Sequence, residues 1–197
     1  MANFGKTRTR NPLTIPLTTC HTPSGSLKRF HQFTLARAAG KRNYPPPESH
    51  AMTIDQKAQE LGVSFEPIEP GYLNLCVRSG NLLITSGHTS DLTGVLGKNV
   101  TVEQGYEAAA DCARKILRSV YNTHGTLEGL RVLKLLGCVY SAPDFTDQHL
   151  IINGASDLLH QLYGKDGAGY HARSALGFAA LPTGAAVEIE AIFEIST

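Results

Sequence analysis

In the run His171 to Phe193, HARSALGFAALPTGAAVEIEAIF, one arginine sits in an otherwise uncharged, strand-like segment. Two carboxylates, Glu188 and Glu190, then alternate with Val187, Ile189 and Ala191. A guanidinium is planar, permanently charged and forked, which suits it to two-pronged capture of a small carboxylate. Placing Arg173 among residues that favour burial costs free energy unless an anion accompanies it. That anion is either internal, Glu188 or Glu190, or a bound ligand, and the pattern alone leaves both open. Other chemistries find less support. His88, His124, His149 and His160 lack metal-ligand spacing, and Ser86, Ser174 and Cys138 have no recognisable base partner. No glycine-rich phosphate loop occurs, so no cofactor and no metal are expected.

Charge divides the chain in two. Residues 1–51 hold eight Lys/Arg against one acid, and residues 52–197 hold ten basic and sixteen acidic residues, so +7 and −6 add to the net +1. The basic part is rich in Thr, Ser, Pro and Arg and resembles an organellar transit peptide. It also fits a leader attached by an upstream start, because Met52 opens a well-formed domain, or a basic arm. Disorder is expected there. Cys20, Cys76, Cys112 and Cys138 show no disulfide framework, and no apolar run is long enough to span a bilayer. The expected location is cytoplasmic, or mitochondrial if residues 1–51 are a targeting segment.

The elements that must position Arg173 are legible after Pro45-Pro46-Pro47. Thr53-Ile54-Asp55-Gln56 and Thr101-Val102-Glu103-Gln104 have capping-box spacing. The first opens a helix ending near Gly62; the second opens an amphipathic helix ending near His124-Gly125. Residues 72–78 and 81–86 read as a hairpin, 91–97 as a loop, and 131–141 as a strand. Residues 145–163 read as a helix with Gly164 at its end, followed by strands at 173–180 and 185–196. This order predicts an α+β domain over 52–197, a mixed sheet with two helices on one face. The face bearing Glu188, Glu190, Ile192 and Glu194 mixes charge with a large aliphatic group, which predicts an oligomer interface there.

Several segments together resemble the reactive intermediate deaminase family (RidA/YjgF, endoribonuclease L-PSP). They are Ala172-Arg173-Ser174, Leu181-Pro182, Val187-Glu188-Ile189, the strand GNLLITSGH from Gly80 to His88, and the helices TVEQGYEAAADCARKIL and DFTDQHLIINGASDLL. The resemblance spans roughly residues 53–197. It implies a chorismate-mutase-like fold, a homotrimer around a central β-barrel, and clefts between subunits that take small 2-imino or 2-oxo carboxylic acids. Position by position, it makes Arg173 the carboxylate anchor and Glu188 the acid that holds water or the far end of the ligand. Asn153 approaches the site, Ser86 and Gly87 line its wall, and main-chain groups near Ala175 hold the reacting end. Four positions depart from the family pattern. Ala175 stands where cysteine is common, and His88 replaces glutamine. Leu73 occupies the site tyrosine's position, with Tyr72 displaced by one. His171 replaces Pro or Ala two residues before Arg173, on the same face, and reads as a cleft-lining residue.

The resemblance implies hydrolysis of reactive 2-imino or enamine acids to 2-oxo acids and ammonia. A non-catalytic trimer that binds 2-oxo acids is the alternative. Ribonuclease action or inhibition of translation initiation, activities of some members, suits an acidic domain poorly, and neither a nucleic-acid nor a membrane partner is expected.

Overall fold

The computed structural model describes residues 51–196, so the basic leader, apart from Ala51, lies outside the described residues. Both expected capping boxes form. Thr53 accepts from the Gln56 amide and opens helix α1 (Ile54–Glu60); Thr101 accepts from the Gln104 amide and opens helix α2 (Val102–His124). Each glutamine side chain returns to its cap's backbone N–H, so two otherwise unpaired donors are satisfied at each start. Gly125, in the left-handed region at φ 90°, ends α2.

The strands are β1 (Cys76–Ser79), β2 (Leu82–Thr85), β3 (His88–Thr89), β4 (Leu130–Tyr140), β5 (Ala172–Phe178) and β6 (Val187–Ile195). They form one mixed sheet in the order β1-β2-β6-β4-β5, with β3 beside β6. β6 is central because its alternating Val187, Ile189, Ala191 and Phe193 are buried. Only β4 and β5 run parallel, and the crossover such a pair requires is helix α3 (Gln148–Tyr163). Helices α2 and α3 pack together against one sheet face, where Ile116, Leu117, Ile151 and Leu159 meet Leu135, Ile189 and Phe193. Gly154 permits the helix contact, since a Cβ there would collide with the Tyr106 carbonyl. The opposite sheet face leaves Val77, Ile84, Leu176 and Phe178 exposed.

The α+β class and the pair of helices on one face stand as expected. The hairpin strand begins at Cys76 rather than Tyr72, because the segment before it is held by α2 and not by the sheet. Arg118 donates to the Glu66 and Pro67 carbonyls at 2.9 and 2.8 Å, and Asn122 accepts from the Ile68 amide at 3.0 Å. Helix α3 starts at Gln148, three residues later than its composition suggests, and continues past Tyr163 as a single wide turn, Gly164–Ala168. The two-residue β3 has no counterpart in the sequence pattern. Among the described residues no helix is long and apolar enough to cross a membrane.

Candidate functional site

Arg173 lies on β5, the edge strand, and its side chain turns toward α3. Its Nη1 donates to Asn153 Oδ1 at 2.9 Å and Ser156 Oγ at 3.0 Å, and its Nη2 reaches the His149 carbonyl at 3.4 Å. No carboxylate lies within ion-pair distance of it among the described residues. Burial lowers its pKa from the usual guanidinium value and the Asp157 carboxylate opposes that shift. The charge persists, because an arginine pKa starts far above neutral. A guanidinium has five N–H donors. Three are committed to α3, leaving two, as many as one bidentate carboxylate uses.

Around this side chain is a cavity of about 360 Å³, lined by Asn153, Ser156, Asp157, His160, His171 and Arg173, with Lys165 and Tyr170 closing the remainder. Helical spacing puts Asn153, Ser156, Asp157 and His160 on one side of α3, and period two puts His171 and Arg173 on one side of the β5 chain. Asn153 accepts through Oδ1, so its amide nitrogen keeps two N–H donors for a ligand. A cavity of similar size, about 370 Å³, lies beneath the 68–76 segment, but its lining has no cationic side chain. Carboxylate capture therefore belongs to the Arg173 cavity.

Glu188 belongs to a different surface. It sits between buried Val187 and Ile189, so it points away from the helices, opposite Thr89 on one side and Cys138 on the other. Its carboxylate lies against Gly87, where a Cβ would occupy the same space. Ser86 is alongside, its hydroxyl donating to the Asn74 carbonyl at 2.7 Å. Burial, with the charges of Glu188 and Glu190, pushes the Cys138 thiol up to about 11, so it is not a nucleophile at neutral pH.

The residues singled out from sequence thus fall into two groups. Arg173, Asn153 and His171 come together at the α3–β5 edge, and Ser86, Gly87 and Glu188 come together on the uncovered face. The orientation of Arg173 comes from α3 rather than from Glu188. Ala175 is on the helix side of β5, packed against the core, and Tyr72 is fully exposed. His88 bridges the Ser86 carbonyl (2.8 Å) and Ser119 Oγ (2.7 Å), tying β3 to α2. Ser156 was absent from the sequence-based set. Its signal was the polar stripe Asn153, Ser156, Asp157, His160 on an otherwise apolar helix.

A small α+β domain with a carboxylate-sized cationic cavity at its sheet edge is what known proteins also show. Residues 64–195 match the family model of endoribonuclease L-PSP. The chain belongs to this family, the RidA/YjgF family. Protein TCP17 of Trypanosoma cruzi is 43% identical over 106 residues, which are 53% of this chain and 66% of TCP17. Atu1372 of Agrobacterium tumefaciens, a protein of unknown function, is 41% identical with a TM-score of 0.65 over 73% of this chain and 92% of that one. A provisionally assigned endoribonuclease from Shewanella oneidensis shares the fold at 22% identity and a TM-score of 0.65, over 72% of this chain and 99% of its own.

Proposed function

We propose that the protein hydrolyses small 2-imino or enamine carboxylic acids to 2-oxo acids and ammonia. The reaction is assigned to clefts in a homotrimer, where the Arg173 group of one copy faces the Glu188 group of another. The observation that carries this reading is the Arg173 guanidinium, held by three acceptors on α3, unpaired with any carboxylate, and facing a cavity. The separation of Arg173 from Glu188 within one chain supports a site assembled from two copies. So do the apolar uncovered face and the unpaired edge of β5.

In this reading Arg173 takes the substrate carboxylate in a bidentate pair, and the Asn153 amide steadies it. A water held by Glu188 adds its oxygen to the imine carbon while the carboxylate accepts its proton. The resulting carbinolamine takes that proton on nitrogen, the C–N bond breaks, ammonia leaves, and the C=O of the 2-oxo acid forms after loss of the hydroxyl proton. Such imines hydrolyse unaided, so orienting water and substrate supplies the acceleration required.

The test is a coupled assay in which a pyridoxal-phosphate-dependent lyase releases the imine. The protein is expected to hasten imine decay, and Glu188→Gln to remove most of that effect. If decay is unchanged while an authentic family deaminase speeds it, the reading fails. A second reading, 2-oxo acid binding without turnover, draws on the same separation of Arg173 from Glu188. Calorimetry with pyruvate and 2-oxobutanoate beside the assay tells the two apart.

A further inference from the structure

Ser156 and His171 face the Arg173 cavity yet take no part in the reaction above, and their hydrogen bonds have one consistent polarity. The Gly169 carbonyl can only accept, so His171 Nδ1, 2.6 Å away, carries a proton and donates it. In the neutral ring Nε2 is then a lone pair, 3.0 Å from Ser156 Oγ, and the serine hydroxyl donates to it. With its proton committed, Ser156 turns a lone pair toward Arg173 Nη1 at 3.0 Å. The donors therefore run in one direction, from Arg173 to Ser156 to His171 to the Gly169 carbonyl. Ser156 is only 6% exposed, so water competes little for these bonds. Burial also favours the neutral ring: desolvation lowers the His171 pKa most, the charges of His160 and Arg173 add to this, and the Gly169 bond opposes it.

We propose that Ser156 and His171 are positioning residues that hold Arg173 in its carboxylate-binding geometry, and that protonation of His171 makes anion affinity depend on pH. This rests on Arg173 being the carboxylate anchor. Protonating His171 puts a hydrogen on Nε2 and reverses its bond to Ser156, which must then accept from both neighbours. It also sets a second cation beside the guanidinium, an arrangement that a bound anion stabilises. By linkage the anion raises the His171 pKa, so carboxylate affinity increases as pH falls through and below about 6.5. The ionisable groups facing the ring are Arg173 from β5, Asp157 and His160 from α3, and Lys165 and Tyr170 from the segment between them. Asp157 is engaged by the Tyr106 hydroxyl at 2.9 Å and stands 3.8 Å from His160 Nδ1. His160 is thus the group whose titration would imitate that of His171.

Two measurements test this. Long-range proton–nitrogen correlation spectra of the ligand-free protein should show His171 as the Nδ1–H tautomer near neutral pH, and the Nε2–H tautomer overturns the proposal. Calorimetry with pyruvate should show affinity rising about fivefold between about pH 7.5 and about pH 5.5, a rise kept by His160→Gln and lost in His171→Gln. Ser156→Ala should weaken pyruvate binding by about tenfold, the scale of one hydrogen bond to a charged group, and flatten the profile. Wild-type binding that is insensitive to pH, or a rise abolished by His160→Gln alone, overturns the proposal and leaves the anchor role of Arg173 standing. No pyruvate binding at any pH overturns both.

Discussion

Replacing Gly154 with alanine adds one methyl group where α3 rests on α2. The added Cβ would collide with the Tyr106 carbonyl and lie 3.3 Å from the Ala110 amide nitrogen, both of them backbone atoms of a packed helix. Neither can swing aside as a side chain would, so the helices must separate. Forcing an extra carbon into a close-packed contact costs about 1–3 kcal/mol. Alanine returns up to about 1 kcal/mol through its better helix propensity. The net expectation is a loss of about 1–2 kcal/mol, or a melting temperature lower by about 2–8 °C for a domain of this size. Because α3 also carries Asn153 and Ser156, the shift should weaken pyruvate binding. Thermal melting and calorimetry on one preparation measure both effects. A melting temperature that is unchanged or higher would refute the claim that this glycine exists for helix contact.

Gly87→Ala meets only a flexible side chain, so it should displace the Glu188 carboxylate at little cost in stability, and the coupled assay should show imine turnover falling while pyruvate affinity holds. Buried His88 has a pKa lowered mainly by desolvation, with its bond to Ser86 opposing and the Lys115 charge adding. The unfolded chain therefore binds that proton more readily, and stability should fall as pH drops below about 6.5. His88→Gln should flatten that acid-side fall in melting temperature, and an unaltered profile would exclude His88 as its source.

How far the sequence revealed this arrangement depended on which force placed each residue. Helix α2 and strand β6 were legible because their apolar residues repeat at the periods of one buried face, and the capping boxes announced two helix starts. The 66–75 segment was not, since Arg118 and Asn122 hold its backbone from another element and impose no alternation. Strand β3 is too short to carry a period. At the site, Arg173 stood out as a charge in an apolar strand, but its partners on α3 depend on a crossover that only the fold provides. The side of the sheet taken by Glu188 follows from alternation with Val187 and Ile189. Its distance from Arg173 within one chain follows from the strand order.

The central claim is that Arg173 is a ligand anchor rather than a structural cation, and Arg173→Lys tests it most directly. An ammonium keeps the charge but cannot offer two parallel N–H groups to a carboxylate while also holding three acceptors on α3. With melting temperature and pyruvate affinity measured on the same folded preparation, affinity should fall by about 10- to 100-fold with a small change in melting. A lowered melting temperature with unchanged pyruvate affinity would contradict the account.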